Sequence, residues 1–168
     1  MKYSMRRFKQ ALTDLEVEEI FTQGKTGVLA LVDEDLWPYA LPLNYVFQDG
    51  HIYFHGAPKG HKMEAIVNNP KASFCVVDQD DIISERFTTR YSSAIAFGMI
   101  RIVEDPKEKK DALIWLCNKY CPLESQEAVL KEMEESPHVC ILALDIDYAT
   151  GKGGREFFLA RQKEQQPK

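Results

Sequence analysis

The side chains best suited to chemistry are concentrated in His55-Gly56-Ala57-Pro58-Lys59-Gly60-His61-Lys62. An apolar run ends at His55-Gly56, and a helical pattern begins a few residues later. The start of a helix carries backbone N–H groups without intrahelical partners, which suits a phosphate dianion. Lys59 and Lys62 would add positive charge there, and the glycines would let backbone approach a ligand closely. The plainer reading makes both lysines solvated and His55 a hydrogen-bonded histidine at a strand end. The segment is not a P-loop, because GxxxxGK[ST] is absent. His55 and His61 are the side chains here that titrate near neutral pH, which makes them the catalytic candidates.

A second cluster, Thr88-Thr89-Arg90-Tyr91-Ser92-Ser93, stands at the mouth of a long apolar run. Hydroxyls and an arginine can bind a polyol chain or a phosphate, and Tyr91 can stack on a planar ring. An ordinary strand entry rich in turn hydroxyls explains the same residues. Other templates fail. The chain has no GxSxG elbow and no HExxH pair. Asp78, Asp80 and Asp81 lie in a polar stretch and read as a solvated face. Cys75, Cys117, Cys121 and Cys140 form no CxxC pair and read as packed thiols, so no metal site is expected. Gly151-Lys152-Gly153-Gly154-Arg155 reads as a flexible basic loop with no helix after it, open to contact with a ligand or a neighbouring subunit.

These residues need elements to hold them. Thr13 with Glu16 makes a capping box that opens a short helix over 14–22. Strands are expected at 27–32, 37–47, 51–56, 72–77, 92–103 and 139–148. Pro38 and Pro42 place the second of these at an edge, at a bulge, or against a ligand, because proline cannot donate to a sheet ladder. Asp49-Gly50 marks the hairpin to the third. Helices are expected at 59–68, from Pro106 to about Tyr120, and at 125–135, with 78–89 as a loop and the chain after Gln162 as a loose tail. Six strands joined by hairpins or short helices favour a mainly β fold, an antiparallel barrel with flanking helices, over a doubly wound one.

Of the 168 residues 45% are hydrophobic and 28% charged, ordinary usage for one globular domain. The net charge of -5 argues against a broad nucleic-acid surface. No apolar run reaches the roughly 20 residues of a membrane span, and no apolar segment follows the basic start Met1–Phe8. The expectation is a cytoplasmic protein without a membrane partner.

Taken in order, several short segments resemble the flavin-binding split-barrel proteins related to pyridoxamine 5'-phosphate oxidase, in particular the nitroimidazole-resistance branch. They are Met5-Arg6-Arg7, Gly27-Val28-Leu29-Ala30, Pro38–Tyr45, Ile52-Tyr53-Phe54-His55-Gly56, Gly60-His61-Lys62, Tyr91-Ser92-Ser93, Phe97-Gly98, Val103-Glu104-Asp105-Pro106 and Thr150-Gly151-Lys152. The resemblance covers about 5–152 of a single domain, 1–168, and leaves 153–168 as a C-terminal extension. It implies a six-stranded split β-barrel, a homodimer, and FMN in grooves at the dimer interface lined by both chains. Pro42, Leu43, Asn44 and Tyr45 would run beside the flavin ring. His55, Gly56, Lys59, His61 and Lys62 would meet the phosphate end, and Tyr91, Ser92 and Ser93 would also line the cofactor. FAD, a deazaflavin or haem are alternatives in the same groove. The chain ends Arg161–Lys168 without the arginine-rich segment of the oxidases proper. The implied activity is therefore electron transfer from a reduced nicotinamide or another donor to a small acceptor, nitroaromatics among the candidates. Its rivals are a flavin- or haem-binding storage or sensor protein without turnover, and an interaction protein with a vestigial pocket.

Overall fold

Alternating burial along extended runs builds the centre of the molecule. The computed structural model describes residues 5–135 and 138–164. Seven strands are present: β1 (Thr26–Val32), β2 (Pro38–Asn44), β3 (Val46–Gln48), β4 (His51–Gly56), β5 (Lys71–Ile83), β6 (Thr88–Ile102) and β7 (Cys140–Gly153). They form one antiparallel sheet in the order β2-β1-β5-β6-β7-β4-β3. The strands at the two ends of that order, β2 and β3, are consecutive in the chain and separated by Tyr45 alone. Hydrogen bonds leave the sheet open, and the chain itself joins its edges, as a split barrel does. The seventh strand arises because the expected run over 37–47 divides at Tyr45.

Inward side chains meet around three aromatic rings. Phe74 packs edge-on against Tyr45 and Phe54, with centroids 4.7 and 5.0 Å apart. All three are fully buried, and such pairs add about 0.5–1.5 kcal/mol each beyond their buried area. Helix α1 (Asp14–Gln23) starts at the expected capping box and seals this core with Val17, Ile20 and Phe21. Helix α2 (His61–Asn68) adds Met63, Ala65 and Ile66. Helix α3 (Pro106–Tyr120) lies on the opposite face of the sheet, where Ala112 and Leu116 pack on Tyr53, Ile141 and Ala143. Helices α4 (Gln126–Glu135) and α5 (Arg155–Glu164) complete the described chain. None of the described helices is long and apolar enough to cross a membrane.

Three expectations are corrected. The stretch 78–89 is not a loop. β5 and β6 continue as a paired arm to Ile83 and Thr88, past a register shift at Val77/Gln79. There Asp81 faces Arg90 across the ladder and accepts two of its N–H bonds, at 2.8 and 3.1 Å. The basic stretch 151–155 is not a free loop either. β7 runs through to Gly153, and α5 follows at Arg155. Helix α2 begins at His61 rather than Lys59, because Gly60 takes the N-cap position with φ 110°, a conformation open to glycine at little cost. The last residues of the expected loose tail, 165–168, lie outside the described residues.

Candidate functional site

The outer surface of the sheet is covered at one side only. α3 packs over β3, β4 and β7. Over β2, β1, β5 and β6 the outward residues stay accessible, and register places them in rows. Pro42, Val28, Cys75, Ile95 and Thr150 lie side by side across five strands. Ala40, Ala30, Ser73, Phe97 and Tyr148 form the next row, in which the Phe97 and Tyr148 rings stack at 4.8 Å. On the other side of the first row, Ser93 faces Val77 and Lys152. Val28 is 42% exposed and Val77 62%. This surface is apolar and wet at once, the signature of a face that meets a ligand or another chain.

Of the expected ligand-facing residues, Pro42 and Asn44 point outward on β2, whereas Leu43 packs on the core and Tyr45 is fully buried. Ser92 is likewise buried, with its hydroxyl donating to Asp78 Oδ2 at 2.5 Å, while Ser93 and Tyr91 are partly exposed. Leu43, Tyr45 and Ser92 therefore support outward neighbours and do not themselves line an outer groove. The Lys152 ammonium sits 5.3 Å from the centre of the Tyr91 ring, a cation–π contact across β6 and β7.

A second group gathers where β4 hands over to α2. The α2 N-terminus carries no side-chain cap, and Met63 and Glu64 donate their N–H groups to the Gly60 carbonyl at 2.8 and 3.2 Å, which leaves those of His61 and Lys62 for a ligand or water. Lys59 is exposed in the preceding loop. The Lys62 ammonium folds back over Gly56, so close that a Cβ there would lie 2.5 Å from Nζ. His61 stacks on Tyr39 of β2 at 4.3 Å, and its Nε2 lies 3.3 Å from Asp33 Oδ2. Gly56, Lys59, His61 and Lys62 are thus brought together. Tyr91 and Ser93 are not with them. Tyr39 is five residues from Asn44 along β2, about 17 Å at ~3.3 Å per residue, and Ser93 lies beyond the Val28–Cys75 pair toward the Asn44 end. His55 points away from the core of the barrel, toward α3 and α4, and lines a cavity with Asn44.

Two further groups have no local signal in the sequence. Tyr120, the last residue of α3, pins the junction between β2 and β3. Its hydroxyl accepts the Tyr45 N–H at 2.9 Å and has one proton for the carbonyls of Lys25 at 2.5 Å and Tyr45 at 2.7 Å. Next to it the Lys119 ammonium lies 4.2 Å from the centre of the Tyr45 ring, and burial pushes it down to about 8. Replacing Tyr120 with phenylalanine strands a buried N–H. The expected cost is about 1–2 kcal/mol, read as a shift in urea midpoint with the slope unchanged.

The second group is a network between the sheet and α3. Arg101 donates to Glu108 twice, at 2.7 and 3.0 Å, and to Asp145 at 2.9 Å. The His51 Nδ1 lies 2.8 Å from Asp145, and the Tyr53 hydroxyl donates to Glu108 at 3.1 Å. The Arg101 guanidinium holds the Glu108 carboxyl below its usual range. Burial, then the Glu108 contact, pushes the Tyr53 phenol up to about 12. These bonds fix α3 on the sheet and with it one wall of the cavity beside His55. No group of three metal-binding side chains occurs among the described residues.

Residues 13–153 match the family described as pyridoxamine 5'-phosphate oxidase. No curated protein sequence matches the chain. Among solved structures, a candidate 5-nitroimidazole antibiotic resistance protein from Bacteroides thetaiotaomicron superposes with a TM-score of 0.72 at 23% identity, over 85% of this chain and 86% of that one. An FAD-binding protein from Mesorhizobium loti gives 0.61 at 20% identity, over 86% and 97%. An FAD- and haem-binding protein from Mycobacterium smegmatis gives 0.68 at 20% identity, over 90% and 80%. At these identities the likeness carries the fold.

Proposed function

The chain belongs to the pyridoxamine 5'-phosphate oxidase family, and on that premise we propose that it is a flavin-binding oxidoreductase, active as a homodimer, with FMN as its cofactor. One observation carries the reading: an uncapped helix N-terminus with Lys59 and Lys62 lies beside Tyr39 near the start of β2, the strand whose outward residues Ala40 and Pro42 border the uncovered apolar sheet face. That donor set fits a flavin nucleotide. The α2 amides and the two ammonium groups suit a phosphate dianion. The outward sides of Pro42 and Val28 offer a flat apolar surface to a ring system, and Pro38 and Pro42 lie on β2, an edge strand of the sheet, where proline is tolerated. Neighbours described as binding FAD, or FAD and haem, support a planar redox cofactor in this fold.

A bound flavin supplies the hydride and electron chemistry. This chain's residues bind and orient it. Lys59, Lys62 and α2 anchor the charged end; Pro42 and Asn44 set the position of the ring; His55, beside Asn44, can donate a hydrogen bond to the acceptor. Tyr91, Ser93 and Lys152 stand too far from α2 in the same chain to share its phosphate. They serve a cofactor whose phosphate is held by the partner subunit, which is why the site needs a dimer. The electron donor is a reduced nicotinamide and the acceptor a small aromatic molecule.

The test is an absorption spectrum of freshly purified protein, followed by anaerobic NADH or NADPH. Bands at about 375 and 450 nm that bleach with the nicotinamide are expected. A flavin that stays oxidised would favour the storage or sensor reading, and a single intense haem band would replace the cofactor. Colourless protein that cannot be reconstituted with FMN would end the flavin reading.

A further inference from the structure

A cavity of about 350 Å³ opens at one end of the barrel, between α1, the β3–β4 hairpin and β7. Its floor is apolar. Phe21 and Phe47 lie there with ring centroids 5.7 Å apart, beside Val17 and Ile146. Tyr148 forms one side, and its ring is held in place by the stacked Phe97. At ~30 Å³ per water the space equals about twelve waters, hence a ligand of roughly a dozen heavy atoms. The cavity shares only Tyr148 with the rows of the outer face and no residue with α2.

The rim carries the opposite chemistry. Asp14 and Glu18 stand one turn apart on α1, and Asp147 comes from β7. All three are exposed, and their carboxylates have no hydrogen-bond or ion-pair partner among the described residues. No Lys, Arg or His lines the cavity. Like charges four residues apart on a helix repel each other, so a cation seated beside Asp14 and Glu18 relieves a repulsion that the chain leaves standing. Asp147 owes its place to a β-bulge. Phe97 pairs with Tyr148 and Gly98 with Ile146, which makes Asp147 the extra residue. Gly98 permits this close approach, because a Cβ there would overlap the Asp145 carbonyl oxygen. Ile146 and Ala149 then both pack on the core while Asp147 is set at the rim. Bulges re-aim side chains in this way beside binding sites.

Rim and floor together select the ligand. An anion would meet three like charges without a counter-charge. No group of three metal-binding side chains occurs among the described residues, so the carboxylates surround the opening rather than converge on one ion. A bare metal ion would also leave the aromatic floor unused. A protonated amine carried on a ring uses both. Its ring packs on Phe21 and Phe47, and its ammonium meets the carboxylates and the face of Tyr148. We propose that this cavity binds a small arylalkylamine, a single aromatic ring with a protonated amine about two carbons away. The site does not rest on the flavin reading.

2-Phenylethylamine, 2-phenylethanol and 3-phenylpropionate share a ring and a two-carbon arm. They differ in bearing a positive, no or a negative charge, which makes them the probes. Each is titrated into the full-length protein as purified, with intermolecular NOEs measured to assigned methyl groups. The amine is expected to show NOEs to Val17 and Ile146. It is expected to bind at least tenfold more tightly than the alcohol, with the propionate weakest. Several weak charge contacts and one cation–π contact together suffice for a factor of about ten. Glu18→Gln with Asp147→Asn is expected to weaken the amine at least tenfold and to leave the alcohol unchanged. The wild-type comparison decides even if that variant does not fold. Equal affinity for amine and alcohol, NOEs confined to other surfaces, no binding, or a folded variant with undiminished amine affinity overturns the proposal.

Discussion

Val28→Glu combined with Val77→Glu is expected to give a monomer that no longer retains flavin. Both side chains point away from the core and are already 42% and 62% exposed in a single chain. Replacing them therefore removes little that holds the barrel together, and such surface changes usually stay within about ±0.5 kcal/mol each. A dimer that closes over this face would bury two carboxylates per chain, the one at position 28 in the row of Pro42, Cys75 and Ile95, none of which can pair with it. Burying an unpaired charge costs several kcal/mol. At least a hundredfold weaker self-association follows, about 2.8 kcal/mol at 1.4 kcal/mol per tenfold. Light scattering reads the mass, and the flavin-to-protein ratio reads the cofactor. A monomer with normal flavin content would remove the shared groove. An intact dimer would move the interface to another face.

The apolar face itself was partly legible beforehand. Gly27–Val32 and 92–103 are runs of strand length, and their outward members follow from alternation once the register is known. Register is what a single sequence does not carry. It took the pairing Val28↔Cys75↔Ile95 to show that residues from three separate segments form one row. The division at Tyr45 was hidden for a related reason. No glycine marks it, and Asn44 alone is a weak turn signal; the chain changes edge there because the Tyr45 ring is captured by Phe74 and its backbone by Tyr120, 75 residues away. The arm over 78–91 was misread because both of its faces are wet, so its strands show no apolar alternation. The Arg101–Glu108–Asp145–His51 network joins four elements and has no local signature at all. By contrast, the capping box at Thr13, the Asp105–Pro106 helix start and the His55–Lys62 cluster are local, and each stands close to where its residue types place it.

That cluster supports the other large effect. Lys59→Glu with Lys62→Glu is expected to weaken FMN at least a hundredfold while leaving the fold in place. Two ammonium groups beside a phosphate dianion become two carboxylates, so both attractive contacts are lost and two repulsive ones appear. Charge-assisted hydrogen bonds contribute about 1.5–3 kcal/mol each, and the loss of two exceeds the ~2.8 kcal/mol that a hundredfold requires. Lys59 is exposed and Lys62 only half-buried, over Gly56 rather than inside the core, so the barrel does not depend on either charge. The near-ultraviolet circular dichroism of the flavin-free protein should match that of flavin-stripped wild type. FMN affinity is measured by quenching of flavin fluorescence, with riboflavin as the control because it lacks the phosphate. If the lysines hold the phosphate, the variant loses its preference for FMN over riboflavin, and the weak riboflavin affinity stays as it was. If FMN and riboflavin fall together, the lysines shape the groove rather than bind the anion. Unchanged FMN affinity would free the α2 N-terminus from any role in holding the cofactor.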